Sequence, residues 1–260
     1  MTGGPDADHE LETVLNRRAT PLVAVVATAG IVRWWRRGRA SRPSVLDAAG
    51  VRRLYDRMAP LYDVATLAYQ AVGAYRLADE AIATLGLQPG DMVVDLGTGT
   101  GRNLPLLAEA VGSSGRVVGV DVSPGMLERA RRRVERAGVD VVELVEADIA
   151  TYELPPGTSA VMGSFAMEML PDYREVIDRL VTQLPTGGRV AVTGLRDPEG
   201  WPRWLVRLVS AINRPFGVSE AYRDHRPWEA VEAVTSDTAY VEMLGGAIYL
   251  AAGTVPERPR

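Results

Sequence analysis

Apolar positions follow two alternating periods along most of this chain. Short continuous apolar runs that end in turn residues predict buried strands. These runs lie at 93–96, 117–120, 141–145, 159–165, 189–193, 239–243 and 247–251. Between them, apolar residues recur every three or four positions, as in Ala74–Leu85 and Val176–Leu184, which predicts amphipathic helices. The alternation indicates an α/β domain whose last two strands form a hairpin.

A loop with glycine at every second position follows the first predicted strand. Gly97, Gly99 and Gly101 lie between Asp95 and a helical pattern. Because glycine has no side chain and a helix N-terminus offers unpaired N–H groups, this turn predicts a bound nucleotide-type ligand. A dinucleotide fingerprint would read G-x-G-x-x-G, and here Arg102 occupies the place of its third glycine. A P-loop would need Gly-Lys-Ser/Thr, and the chain contains no lysine.

The spacing D-x-G-x-G-x-G at 95–101 resembles motif I of the class I S-adenosylmethionine-dependent methyltransferases. Two later acids agree with this. Asp121 ends the second strand, where such folds bind ribose hydroxyls, and Asp148 follows the third, where this family has its adenine-binding acid. The resemblance covers about Val51–Gly253 and implies a Rossmann-like, seven-stranded, mostly parallel sheet. The alternative is a doubly wound domain with tight turns and no bound adenosine.

The resemblance also implies S-adenosyl-L-methionine as the cofactor and a set of residues that bind it. The glycines would admit its methionine end, Asp121 would bind the ribose and Asp148 the adenine amine. Met126 would pack near the adenine, although a core methionine is the plainer interpretation. The full set is Tyr62, Asp95, Gly97, Thr98, Gly99, Gly101, Asn103, Asp121, Val122, Met126, Asp148, Ile149 and Ser164.

Residues Tyr55–Asp63, called the cap segment below, have the pattern Y-D-x-x-A-x-x-Y-D, where x is any residue. They resemble the segment that caps the cofactor pocket in the ubiquinone- and menaquinone-biosynthesis branch of that family. The second tyrosine of that segment faces the methionine end, and here it is Tyr62. Its ring face or hydroxyl could lie near the sulfonium. For Tyr55, packing within a helix pair is an equally good interpretation.

Three residues are candidates for removing a proton from a methyl acceptor: Glu168, Tyr62 and His225, in that order. Glu168 is the only carboxylate between residues 164 and 169, at the predicted carboxyl edge of strand four. The alternative is a glutamate at the rim, exposed to water. His225 could act as a base because imidazole titrates near neutral pH, but a surface histidine is the simpler interpretation.

Composition excludes several other kinds of site. The chain has no cysteine and only two histidines, so we expect no metal site and no disulfide. A net charge of −4 gives no general case for nucleic-acid binding. The arginines at 129–136 are interspersed with glutamates, which favours a solvated helix face.

The N-terminal region, 1–44, is separate in character. Within residues 19–39, an apolar run from Pro21 to Val32 is flanked by arginines on both sides and is followed by Trp34-Trp35. It falls short of the ~20 apolar residues that a membrane-spanning helix needs. Contact with a membrane surface, docking on the domain or on a second subunit in a homodimer, and full spanning remain open. We expect a cytoplasmic protein, with peripheral attachment to the inner face of the membrane as the membrane-bound form.

The methyltransferase domain is expected at 45–253, with a short tail at 254–260. Residues 195–234 form an insertion where such enzymes commonly select substrate, and it contains an amphipathic helix with Trp201 and Trp204. This helix could cover an apolar pocket, rest on a membrane or simply cover the sheet. We expect a hydrophobic acceptor such as a quinol or a lipid. A soluble secondary metabolite and a protein that binds the cofactor without transferring methyl are the alternatives.

Overall fold

The computed structural model describes residues 46–71, 73–198, 200–213, 216 and 224–257. The predicted tail and apolar helix of residues 1–44, including the membrane contact at 19–39, lie outside these described residues. The last three residues of the predicted C-terminal tail do so as well. Within these ranges, no helix has both the length and the apolar character that a membrane crossing requires.

Seven strands form one sheet in the order β3-β2-β1-β4-β5-β7-β6. They are β1 Met92–Leu96, β2 Arg116–Asp121, β3 Val142–Glu146, β4 Ala160–Ser164, β5 Arg189–Leu195, β6 Ser236–Met243 and β7 Ile248–Thr254. The first five strands are parallel, and β7 pairs antiparallel with both β5 and β6. The predicted Rossmann-like, mostly parallel sheet with a terminal hairpin is therefore confirmed.

Nine α-helices are described. They are α1 Ala48–Met58, α2 Tyr62–Ala65, α3 Leu67–Ala71, α4 Ala74–Thr84, α5 Leu104–Val111, α6 Pro124–Ala137, α7 Tyr173–Gln183, α8 Arg203–Asn213 and α9 Pro227–Val234. Two 3₁₀ turns are also described. Ala59–Leu61 connects α1 to α2, and Met167–Met169 follows β4.

The core lies on both faces of the sheet because successive strand residues point to opposite sides. Val93 belongs to the hydrophobic cluster that includes α4 and α5, whereas its neighbour Val94 belongs to the cluster that includes α7 and α9. Trp228 and Val231 of α9 are buried in the latter cluster. The end of the predicted insertion, α9, is thus part of the core. The helix α8 of the same insertion instead exposes large apolar side chains, among them Trp204 and Leu208.

At the carboxyl edge of the sheet, the ends of β4 and β5 differ by one or two residues from the ends that the sequence predicts. β4 ends at Ser164, one residue earlier than the sequence predicts, because Phe165 takes a φ of 54° that leaves the extended region. β5 continues two residues further than predicted, to Leu195, because Leu195 pairs with Ile248 of β7. These two changes bring the turn after β4 beside the end of β5.

Candidate active site

A cavity of about 370 Å³ opens at the carboxyl edge of the sheet, where β1 and β4 end. Its walls come from the cap segment, the glycine loop, the turn after β4 and Phe216. Seven of the predicted site residues line it: Tyr62, Gly97, Thr98, Gly99, Asn103, Ser164 and Glu168. The cavity therefore brings together Tyr62, Gly97 and Gly99 of the residues predicted around the methionine end of the cofactor, but not Gly101.

The glycine loop is close-packed on one side and open on the other. A Cβ added at Gly97 would lie 2.5 Å from the Cβ of Ala166, so only glycine fits there. At Gly99, where φ is 54°, an added Cβ would meet nothing closer than the Gly97 carbonyl oxygen at 4.0 Å. Gly99 thus exposes its backbone to the cavity, as close approach by a ligand requires.

Asp95 supports this loop from beneath. It is fully buried, and its Oδ2 accepts a hydrogen bond of 2.7 Å from the Thr98 hydroxyl. Burial raises the pKa of Asp95 to about 7. Asn103 donates a hydrogen bond of 3.3 Å from Nδ2 to Ser164 Oγ, which joins the loop to the end of β4. Asp95 lies outside the cavity lining and holds the loop in shape.

Asp121 connects the glycine loop to the next helix. Its Oδ2 accepts from the backbone N–H of Gly99 at 2.9 Å, and its Oδ1 accepts from that of Ser123 at 2.9 Å. Burial raises the pKa of Asp121 to about 6. A carboxylate has about four acceptor sites, so two remain for hydroxyl groups of a ligand.

The other residues predicted to bind the cofactor lie beside the cavity and not in its lining. Val122, Asp148 and Ile149 are half-buried near the ends of β2 and β3, and Met126 is fully buried. Gly101 packs against α6, where an added Cβ would lie 2.8 Å from a helix side chain. The adenine end of the predicted site is therefore a separate region next to the cavity.

The acids of the cap segment have roles that the sequence analysis missed. Asp56 accepts hydrogen bonds from the Ser123 hydroxyl at 2.6 Å and the Gly125 backbone N–H at 3.1 Å. Seven residues later, Asp63 accepts from the Thr100 hydroxyl at 2.8 Å. The two acids lie on different helices, α1 and α2, and both accept hydrogen bonds from groups at the carboxyl edge of the sheet. The repeated Tyr-Asp pair was the available signal.

Asp63 also pairs with two arginines of α6. Arg129 and Arg133 lie 3.2 and 3.3 Å from its carboxylate oxygens, and Arg133 also donates to the Thr100 carbonyl at 2.8 Å. Burial alone would raise the pKa of Asp63. The Thr100 and Arg129 hydrogen bonds and the Arg133 charge outweigh it, so the net pKa is lowered. The cap segment is thereby tied to both the glycine loop and α6.

Aromatic rings roof the cavity. Phe216 lies edge-on to Tyr62 and Tyr69, with ring centroids 6.0 and 5.9 Å apart, and Tyr55 lies 6.2 Å from Tyr62. Tyr69 donates a hydrogen bond to Asn213 Oδ1, and Tyr55 donates to the Phe216 carbonyl at 3.2 Å. Burial raises the pKa of Tyr62 well above its ordinary value, so its phenol stays protonated and is a poor base at neutral pH.

Glu168 is the buried carboxyl of the lining. It is 6% exposed, so it is not the water-exposed rim residue of the alternative interpretation. Its Oε1 accepts from the Leu195 backbone N–H at 3.1 Å, and its Oε2 has no hydrogen-bond partner among the described residues. Burial raises the pKa of Glu168 to about 7, a value suited to proton transfer near neutral pH.

His225 lies behind Glu168 and outside the cavity lining. Its Nδ1 is 3.0 Å from the Glu168 carbonyl oxygen, and its ring is 4.9 Å from that of Tyr173. This position supports the turn that carries Glu168. In the part of the chain that the structure describes, no three acidic or histidine side chains converge as a metal site.

Comparison with known proteins identifies the type of domain. Residues 93–188 match a family model described as a methyltransferase domain. Over 144 residues the chain is 33% identical to the aklanonic acid methyltransferase of Streptomyces sp. strain C5, a match that covers 55% of this chain and 64% of that protein. Over 180 residues it is 27% identical to the demethylmenaquinone methyltransferase of Listeria welshimeri, covering 67% and 76%.

A solved structure supports the same fold. The N-methyltransferase 2 of Haemonchus contortus, in complex with phosphomonomethylethanolamine and S-adenosylhomocysteine, aligns with a TM-score of 0.60 at 16% identity. The alignment covers 83% of this chain and 61% of that one. The chain thus spans less than two thirds of both that protein and the Streptomyces relative.

Proposed function

We propose that the protein is an S-adenosylmethionine-dependent methyltransferase that methylates an apolar small molecule with a quinol-type or other aromatic ring. Residues 93–188 match a family model described as a methyltransferase domain. The observation that carries this proposal is one cavity that joins the open backbone at Gly99, six aromatic rings and the buried carboxyl of Glu168.

The residues present fit the cofactor. S-adenosyl-L-methionine is a sulfonium cation with an adenosine and an amino-acid end. Gly99 leaves open space for the amino-acid end, and the Tyr62 ring offers a face that attracts a cation. Asp121 retains acceptor sites for ribose hydroxyls beyond its two backbone hydrogen bonds. Asp148 and Ile149 remain the predicted contacts of the adenine.

When bound, the cofactor supplies an electrophilic methyl group on a positively charged sulfur. The protein's task is then to position an acceptor, exclude water and accept a proton. The rings of Tyr62, Tyr69 and Phe216 roof the cavity and limit its access to water. Glu168, when ionised, accepts the proton that the acceptor hydroxyl or carbon releases. Tyr62, which stays protonated, orients the acceptor as a hydrogen-bond donor.

The acceptor class follows from the lining and from a relative. Tyrosine and phenylalanine rings pack favourably against a planar ring, in offset or edge-to-face arrangements. The name of the Listeria relative gives demethylmenaquinone, a quinone-type compound, as what it methylates. A prenylated quinol fits an aromatic cavity with a buried carboxyl better than a strongly charged acceptor would, because a charged group would lose its hydration there.

A soluble, acidic secondary metabolite is the second candidate. Three arginines line the cavity, and one of them, Arg76, makes no ion pair within the described ranges. A carboxylate on the acceptor could pair with it. The similarity to the aklanonic acid methyltransferase also favours this candidate, because the name of that relative gives an acid as what it methylates.

A two-step assay tests the proposal. Calorimetry with S-adenosylmethionine should show binding, and a labelled-methyl assay should then show transfer to a prenylated quinol. Transfer to a soluble aromatic acid and not to the quinol would favour the second candidate. Cofactor binding without transfer to any acceptor in a membrane or cell extract would contradict methyl transfer and favour a non-methylating role.

A further inference from the structure

The helix α8 has an unusual water-facing side. Among residues 203–210 of this helix, the exposed ones are Arg203, Trp204, Arg207 and Leu208. They fall on one face of the helix because they are spaced by one and four positions. Trp204 is 66% exposed and Leu208 is 50% exposed. Large apolar side chains grouped on one exposed face indicate a contact surface.

This face is also positively charged. Neither Arg203 nor Arg207 makes an ion pair with any residue that the structure describes, and α8 contains no aspartate or glutamate. On α6, by contrast, the exposed Arg131 and Arg132 pair with Glu128 at 2.8 and 2.9 Å. The α8 face therefore combines apolar side chains with uncompensated cations.

The apolar exposure is concentrated on two segments, residues 61–69 and α8. Seven large hydrophobic side chains are exposed in the described ranges, and five of them lie on these segments. The five are Leu61, Val64, Leu67, Trp204 and Leu208. The segments meet where Tyr69 of α3 donates its hydrogen bond to Asn213, the last residue of α8. The C-terminal end of α8 is thus joined to the segment that carries Tyr62 and Tyr69 of the cavity roof.

We propose that the α8 face docks on the surface of an anionic lipid bilayer. Trp204 and Leu208 would enter the boundary between headgroups and acyl chains, where indole rings are favoured. Arg203 and Arg207 would keep their guanidinium groups at the level of the lipid phosphates. The two arginines, which make no ion pair within the described ranges, favour an anionic bilayer as the occupant, because lipid phosphates would compensate their charge.

Docking in this way places the cavity roof at the bilayer. An apolar acceptor could then pass from the lipid to the cavity without crossing water. This delivery rests on the methyl transfer proposed above, whereas the docking itself does not. A lipid-binding measurement therefore separates the two proposals.

The absence of cysteine allows a direct test on the full chain. Leu208→Cys introduces a single thiol, which is labelled with the polarity-sensitive fluorophore nitrobenzoxadiazole. We expect its emission to shift to shorter wavelength and brighten when vesicles of phosphatidylcholine and phosphatidylglycerol are added. Vesicles of phosphatidylcholine alone should give a much weaker response. The matched control is Arg131→Cys on α6, whose label should stay in water even if residues 19–39 hold the chain on the vesicle.

Charge removal sharpens the test. Both arginines are replaced, Arg203→Gln and Arg207→Gln, in the labelled protein. The affinity for anionic vesicles, measured from the label at position 208, should fall about fivefold for each charge, roughly thirtyfold together. Unchanged melting and cofactor binding would show that the variant is folded. The proposal is overturned by a silent label at position 208, by an equal response at position 131, or by a response that depends on protein concentration and needs no vesicles. A response at 208 without methyl transfer would sustain the docking and reject the proposed activity.

Discussion

The two sides of the cavity differ in how their carboxylates are compensated. Beside the glycine loop and α6, Asp56, Asp63 and Asp121 each accept at least two hydrogen bonds or ion pairs. On the side of β4 and β5, Glu168 keeps one oxygen without a partner among the described residues. Asp95, beneath the glycine loop, also has one oxygen without a partner in the described ranges, but it lies outside the cavity lining. The first side therefore has most of the polar contacts that fix a shape, whereas the second places a carboxyl in the lining that can gain or lose a proton.

The second side also contains two other buried oxygens without hydrogen-bond partners in the part of the chain that the structure describes. The hydroxyl oxygens of Thr193 and Tyr249 are also buried and, in the described ranges, without a hydrogen-bond partner. A Cβ added at Gly194 would lie 2.7 Å from the Tyr249 hydroxyl and 2.8 Å from Glu168 Oε2, so these two groups flank the same point. Buried polar atoms without partners cost stability, and a ligand group in the cavity could supply the missing partner of Glu168.

The largest effect is expected from Glu168→Gln. Glutamine keeps the shape and can still accept from Leu195, but it cannot take up a proton. We expect turnover to fall by roughly 10²–10⁴-fold, the usual contribution of a general base. Single-turnover methyl transfer measures this, and calorimetry should show cofactor affinity nearly unchanged. Turnover equal to that of the wild type would remove Glu168 from the mechanism.

Acidity should affect activity and stability in opposite directions through the same carboxyl. Activity should rise with pH through about 7, since Glu168 must be ionised to accept a proton. Its folded pKa is raised, so its contribution to stability is full below the unfolded pKa and is lost as pH rises through about 7. Between about pH 5 and pH 8, wild type should lose roughly 2–3 kcal/mol relative to Glu168→Gln. Denaturant unfolding of both proteins at the two pH values measures this, and parallel curves would contradict it.

A smaller effect is expected on the compensated side, from Asp63→Asn. This change weakens the pairs with Arg129 and Arg133, whose side chains are about one third exposed. Solvent screening limits the loss to about 1 kcal/mol, or a few degrees in melting temperature. The control is Glu143→Gln, which removes a more exposed pair with Arg116, away from the cavity. If the two variants melt alike and bind cofactor alike, the cap segment is not held by Asp63.

The smallest effect should come from Arg131→Gln on the outer face of α6. Its pair with Glu128 is exposed to solvent on both sides, and such pairs contribute little. We expect no measurable change in melting temperature, in cofactor affinity or in vesicle binding. A clear loss of vesicle binding would show that α6 also faces the lipid, which would erase the contrast with α8.

The sheet and the glycine loop were predictable because their signals are local. Alternating apolar runs define strands, and glycines that need positive φ or close packing stand out in the sequence. Gly97 and Gly99 lie where the motif predicted, at the edge of the cavity. Strand ends were less predictable, because the positive φ of Phe165 and the pairing of Leu195 depend on neighbouring strands.

The partners of the carboxyl groups could not be predicted, because they come from distant parts of the chain. Asp56 and Ser123 are 67 residues apart, and no local pattern joins them. The burial of Glu168 likewise depends on packing against β5, so a rim position was an equally good interpretation of the sequence. His225 looked like a candidate base because of its residue type, yet its place behind the Glu168 carbonyl follows only from tertiary structure.

The central claim is that a cofactor occupies the open side of the glycine loop, and two matched alanine substitutions test it most directly. Gly99 and Gly138 both have positive φ, 54° and 65°, and neither would place a Cβ closer than 4.0 Å to another group. Gly99→Ala and Gly138→Ala should therefore cost similar stability, about 1–2 kcal/mol from the left-handed backbone. Only Gly99 lines the cavity, whereas Gly138 caps the C-terminus of α6.

Calorimetric titration of the two variants with S-adenosylhomocysteine is the measurement. We predict that Gly99→Ala lowers the affinity on the order of tenfold or more, about 1.4 kcal/mol, while Gly138→Ala binds like the wild type. Equal affinities in the two variants would contradict the placement of the cofactor, and with it the proposed methyl transfer.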